Sequence, residues 1–164
     1  IRSKEKKHFF YGIDEIKDMC KIAIKNNKKS KNVKIINKKI EDIKFKKSSL
    51  ITSFYTMQFI HPSKRQSIFN KIYKNLNWSG AFIMFEKVRA PDARFQDITM
   101  QIYNDYKIEQ GFTSEEIISK SMSLKGVMDP FSSAANLQML KRAGFKDIVS
   151  ILKFLNFEGF LEIK

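Results

Sequence analysis

The sequence predicts an α/β fold built on an open, mainly parallel sheet, and three observations predict it. Short apolar runs that suit strands alternate with stretches of helical spacing. The connections between them are short, as in successive βαβ units. The last two strand-like runs lie too close in sequence for a parallel crossover, which needs about a dozen residues, so they must pair antiparallel.

The elements follow in order. His8–Ile13 is an aromatic, apolar run read as a buried strand that ends at Asp14. Glu15–Asn26 has helical spacing, with Ile16, Met19, Cys20 and Ala23 on one face. Val33–Asn37 is a second strand, Glu41–Lys47 a polar loop and Leu50–Tyr55 a third strand. Pro62 suits the first position of a helix reaching Leu76, with Ile68, Ile72 and Leu76 inward and Phe69 and Tyr73 beside them. Asn77–Gly80 reads as a turn and Ala81–Phe85 as a fourth strand.

A long helix follows from Asp92 to Gln110, striped by Phe95, Ile98, Ile102 and Tyr106 and stopped by Gly111. Thr113 with Glu116 forms a capping box for the next helix. Pro130 breaks the run, and Asn136–Ala143 is a helix closed by Gly144. Ile148–Phe154 and Phe157–Ile163 are the closing strand pair, joined near Asn156.

Composition narrows the class. At 164 residues the chain fits one domain of the usual size, so a single domain over 1–164 is expected. A hydrophobic share of 43% with 13% aromatics excludes a disordered chain. The lone Cys20 excludes an internal disulfide framework, and two histidines with one cysteine argue against structural zinc. No apolar run is long enough to predict a transmembrane helix, and the basic start lacks the apolar segment of a signal peptide. A cytoplasmic location and no membrane partner are therefore expected. The absence of an initiator Met leads to the expectation that the chain is a piece of something longer.

Lys+Arg number 31 against 17 Asp+Glu, a formal net charge of +14. The surplus begins with Lys4, Lys6 and Lys7 and continues through Lys25–Lys31 and Lys34–Lys47. Such a surplus attracts polyanions. The aromatics are not interleaved with the lysines as a base-stacking platform requires, so a solvated face is the plainer reading and direct nucleic-acid binding stays open.

One constellation stands out. A strand ending in an acid, Tyr11-Gly-Ile-Asp14, suits a carboxylate that accepts from both hydroxyls of a ribose. The same Asp would serve equally as a helix cap. His61 reads as a loop residue leading into a Pro-started helix or as a base near a pocket, and Cys20 as a small buried hydrophobe.

The segments Gly12-Ile-Asp14, Tyr55-Thr-Met-Gln-Phe59, Pro62-Ser63, Arg65-Gln66, Glu86-Lys87, Asp105 with Lys107, Glu116-Ile117 and Ala143-Gly-Phe145 carry a family resemblance over nearly the whole chain. The chain resembles class I S-adenosylmethionine-dependent methyltransferases, and within them the carboxy-S-adenosylmethionine synthase family. The resemblance implies a Rossmann-like fold, S-adenosylmethionine as cofactor, and an enzyme. It implies either carboxyl transfer from prephenate onto the cofactor, feeding tRNA wobble-uridine modification, or ordinary methyl transfer to a small molecule or RNA. A homodimer is a further expectation.

Site residues follow position by position. Asp14 matches the ribose-binding acid, and Glu15 falls at its polar neighbour. Lys39 falls where the family has an Asp that binds the adenine amino group, and lysine has no acceptor to offer. Ile40 remains able to pack on the adenine face. Phe54 falls where the family has Asn beside the amino-acid moiety. Ser121 falls at an arginine that pairs with the transferred carboxylate, and serine cannot form that charged fork. Arg89 and Arg94 are the candidate replacements, and Phe95, Tyr103 and Tyr106 the candidate pocket cover. The resembled fold begins with a strand and an Asp-x-Gly-x-Gly loop that this chain lacks. The expectation is therefore a sheet without its first strand and a fragment inactive alone. The rival readings are a basic RNA-binding module with a decayed cofactor site, and a pseudoenzyme subunit.

Overall fold

In the computed structural model, which describes residues 8–164, the apolar runs form strands and the periodic stretches form helices. The basic run of Lys4, Lys6 and Lys7 lies outside the described residues. The chain divides into two compact units, Ile1–Lys44 and Phe45–Lys164.

In the first unit, β1 (Phe10–Asp14) and β2 (Val33–Asn37) pair in parallel around α1 (Lys17–Asn26). The register sets Asp14 opposite Asn37. The helix starts two residues later than its periodicity suggests because Asp14 Oδ1 accepts from the Ile16 amide at 2.7 Å, an Asx turn that the helix must follow. The expected buried strand and helix face are corrected here. Among the described residues of this unit only Cys20 is buried, while Phe10, Tyr11, Ile16 and Met19 are exposed. A two-stranded sheet is too narrow to shelter both faces of a strand or a whole helical stripe. The loop after β2 contains a single 3₁₀ turn, Ile40–Asp42.

The second unit holds a mixed sheet. Its strands are β3 (Ser48–Phe54), β4 (Leu76–Lys87), β5 (Asp147–Phe154) and β6 (Phe157–Ile163), in the order β3-β4-β6-β5. β3 and β4 are parallel, and β6 pairs antiparallel with both β4 and β5. The closing antiparallel pair is thus as expected. The turn at Asn77–Gly80 is an excursion within β4: Ser48 pairs with Leu76 and Leu50 with Ala81, so one β3 residue faces four. Ser79 takes a φ of 58° to make it.

Helix α2 (Pro62–Asn75) has Pro at its start and is capped by the His61 ring, whose Nδ1 accepts from the Ser63 amide. Ile68, Phe69 and Ile72, with Leu76 beyond its end, recur at helical spacing and are buried, as are Phe82 and Met84 of β4 and Phe160 of β6, and Phe69 meets Phe82 edge-on. α5 (Ser133–Ala143) adds Met139 and Leu140, and Phe145 stacks on Phe82. It begins three residues before the periodicity shows it because Ser132 accepts from the Ala135 amide and caps it there. Gly144 ends α5 at φ 119°, where a Cβ would meet the Tyr73 ring at 2.6 Å.

Helices α3 (Ala93–Glu109) and α4 (Ser114–Ser123) are more exposed. The α3 stripe of Phe95, Ile98, Ile102 and Tyr106 does not form a buried face. Periodicity marks a face able to pack, not the presence of a layer to pack on. Contact with the sheet runs instead through Tyr103 on Phe157 and Tyr106 on Phe154. The capping box forms in both directions between Thr113 and Glu116. Thr113→Ala is expected to cost about 1 kcal/mol locally, read as faster amide exchange over the first turn of α4. No helix among the described residues is long and apolar enough to cross a membrane.

Candidate functional site

In parallel α/β sheets, ligands bind beyond the carboxyl ends of the strands. Both units present candidate residues at such ends.

In the first unit, Asp14 closes β1 and its backbone is tied to the end of β2. Its carbonyl accepts from the Lys38 amide at 3.1 Å and from Asn37 Nδ2 at 3.0 Å. Asn37 Nδ2 also reaches the Glu15 carbonyl at 2.8 Å. These bonds bring Asp14, Glu15, Lys39 and Ile40 to one end of the strand pair. The Asp14 side chain is exposed, with Oδ1 holding the Ile16 amide and Oδ2 left to accept from a ligand. It is both the local turn former and an available acceptor. The Lys39 side chain is exposed, and Ile40 offers a half-buried apolar surface.

In the second unit, Phe54 ends β3 and stacks on Phe85 of β4, with centroids 5.1 Å apart. Tyr55 follows in the left-handed region at φ 51°. That conformation costs roughly 1–2 kcal/mol for a non-glycine residue and persists only where neighbours enforce it. Here the Tyr55 amide donates to the Phe85 carbonyl at 2.8 Å. The carboxylate of Glu86 then receives three successive amides. Oε1 accepts from Thr56 at 3.1 Å and Met57 at 2.9 Å, and Oε2 accepts from Gln58 at 2.9 Å. Gln58 returns a bond by accepting from the Lys87 amide at 2.9 Å.

Burial pushes the Glu86 carboxyl up to about 7 against these hydrogen bonds and the Arg65 charge, which act the other way. Arg65 is itself buried. Its Nε donates to the Ile60 carbonyl at 2.7 Å, and its guanidinium lies 4.3 Å from the Phe131 ring centroid. The Thr-Met-Gln-Phe and Glu-Lys segments were visible in the sequence as motifs. Their role as a clamp was not, because the three amides and the carboxylate lie about thirty positions apart.

The same strand ends carry an aromatic and cationic cluster. Tyr55 and Tyr103 each pack edge-on against Phe157. Lys87 Nζ lies 5.4 Å and Lys107 Nζ 4.4 Å from the Tyr103 centroid. Tyr103 therefore stands at this end of the sheet, as does Tyr106 on Phe154, whereas Phe95 is exposed.

Ser121 is exposed on α4, and its hydroxyl makes none of the described hydrogen bonds. Arg89 is engaged with Asp129 at 3.4 Å. His61 spends a ring nitrogen on the start of α2 rather than standing free as a base. Among the described residues no cluster of His, Cys, Asp and Glu has the makings of a metal site.

No protein-family model matches the chain. It is 42% identical over 155 residues to the carboxy-S-adenosyl-L-methionine synthase of Staphylococcus epidermidis, covering 94% of this chain and 68% of that protein. The protein of the same name from Campylobacter lari is 40% identical over 156 residues, covering 93% and 66%. The chain thus spans about two thirds of the length of these curated relatives. Among solved structures, human N-acetylserotonin methyltransferase in complex with SAM aligns with a TM-score of 0.63 at 14% identity, covering 94% of this chain and 39% of that one. At that identity the likeness concerns the fold, which is that of the S-adenosylmethionine-dependent methyltransferases.

Proposed function

The chain belongs to the carboxy-S-adenosyl-L-methionine synthase family, and from that membership we propose that it forms the S-adenosylmethionine-binding, group-transferring part of such an enzyme. The observation that carries the reading is Asp14 at the carboxyl end of β1, with one oxygen committed to the turn and the other free to accept.

The residues fit the cofactor in part. The Asp14 carboxylate suits a ribose hydroxyl, and Glu15 beside it adds a second acceptor. Ile40 offers an apolar surface for the adenine. Lys39 does not fit the adenine amino group, since both are donors, so adenine recognition rests on packing there. Phe54 of the second unit, stacked on Phe85, has a flat apolar face and no hydrogen bond to offer an amino-acid group. When bound, S-adenosylmethionine supplies the activated sulfonium chemistry. The chain's own task is to hold and orient the reactants, and such positioning needs no strong acid or base. In the second unit the buried carboxylate of Glu86 is spent on the backbone.

The finer parts of the proposal are prephenate as carboxyl donor, a place in tRNA modification, a homodimer, a cytoplasmic location, and Ser121 facing the substrate. The two compact units are taken as parts of one domain. Alignment to the relatives over 93–94% of the chain supports that reading.

Calorimetry of S-adenosylmethionine against the whole translated product tests the reading. Asp14→Ala is expected to weaken binding by at least about tenfold, the worth of a hydrogen bond to a charged group. Equal affinity in wild type and Asp14→Ala, or no binding to the wild type, would sink it.

A further inference from the structure

Two half-buried ammonium groups share one ring at the carboxyl end of β4. Lys87, on the strand, and Lys107, in the last turn of α3, both lie over Tyr103. Neither has a carboxylate partner among the described residues. Like charges brought together while partly desolvated repel one another, and the tyrosine face offsets this only partly. Burial, reinforced by the charge of Lys107, accordingly depresses the Lys87 ammonium, and burial depresses that of Lys107. The surroundings are apolar on one side, where Tyr55 and Tyr103 pack on Phe157. They adjoin the strained Tyr55 and the Glu86 clamp that fixes it, so the cluster sits on rigid backbone. A built pair of cations with no counter-charge, at the end of a sheet where ligands bind, is a site waiting for an anion.

We propose that Lys87 and Lys107, with Tyr103 between them, form a carboxylate-binding site that holds the acid substrate of the transfer. The inference deepens the function proposed above and rests on it for the word substrate, but carboxylate binding can be tested without turnover. A carboxylate bound there would offset the repulsion between the two ammoniums, and the aromatic walls would favour an acid with an apolar body. The site also answers a difficulty left by Ser121, which offers no positive charge. The cationic partner of the substrate comes from β4 and α3 instead of α4.

The test uses the whole translated product with ¹³Cε-labelled lysine and malonate as probe, at constant ionic strength. Saturable binding is expected to raise the titration midpoints of Lys87 and Lys107 together and leave exposed Lys141 unmoved. Lys87→Met and Lys107→Met are each expected to weaken malonate binding by at least about tenfold, and Lys107→Arg to retain it. In turnover the same Met variants are expected to raise KM for the acid more than they lower kcat. Malonate shifts equal at Lys87 and Lys141, or unchanged affinity in both Met variants, would overturn the site. S-adenosylmethionine titrated in parallel separates the two readings. Loss of malonate binding with the cofactor still bound removes only this site. Malonate binding without cofactor binding removes the proposed function and leaves an anion site.

Discussion

Phe82→Ala is expected to destabilise the second unit by about 3–5 kcal/mol, the usual cost of emptying a buried aromatic position. Phe82 has no exposed surface and stands at the centre of an aromatic chain. Phe69 of α2 meets it edge-on at 6.3 Å, and Phe145 stacks on it at 6.1 Å and in turn meets Tyr73 at 5.0 Å. One ring thus joins α2, β4 and the segment after α5. The backbone around it is held by β-ladder bonds on both sides, to β3 and to β6, so the cavity cannot collapse easily. Urea unfolding checks the figure; a loss under about 1 kcal/mol would mean that the core relaxes around the gap.

Glu162→Met is expected to do the opposite, stabilising the chain by about 1–4 kcal/mol at pH 8.5, as replacement of buried charge by apolar volume does elsewhere. Glu162 lies on β6 between Phe82 of β4 and Ile148 of β5, has no exposed surface, and neither carboxyl oxygen has a partner. Lys164, two residues on, donates instead to the carbonyls of Tyr73 and Leu76 at 2.7 and 3.0 Å. Burial pushes the Glu162 carboxyl up to about 8 from its ordinary value of 4.5.

The folded chain therefore holds a proton that the unfolded chain has lost over that interval. Stability is fully present below about 4.5 and falls as pH rises through about 8, after which the penalty is constant. The Met variant removes this slope, so its advantage over wild type grows from pH 5 to pH 8.5. Unfolding curves at the two values measure it, and an advantage that does not change with pH would show that Glu162 is not the group responsible. Glu86 contributes a slope of the same sign between 4.5 and about 7, and it stays in both proteins.

The alternation of elements, the cap at Thr113, the Pro62 helix and the antiparallel closure were legible in the residues because each depends on neighbours a few positions away. β2 occupies Val33–Asn37 in both readings for that reason. Burial was less legible. Ile16 and Met19 lie on an apolar face yet are exposed, since shelter depends on how many strands stand beside them. Asp14 could be singled out from sequence because it ends a strand. Lys87 and Lys107 could not be paired, being twenty positions apart on different elements.

Residue chemistry by itself determined which segments are strands and helices, where Asp14 falls, and that Lys39 and Ser121 cannot serve as an acceptor and a cation fork. Only the tertiary structure decided that Glu86 is spent on three amides, that Glu162 is buried without a partner, and that two lysines meet over Tyr103. Local structure follows from hydrogen bonds and periodicity within one turn or strand. The charge state and use of a side chain follow from what surrounds it, and those surroundings are assembled from distant parts of the chain.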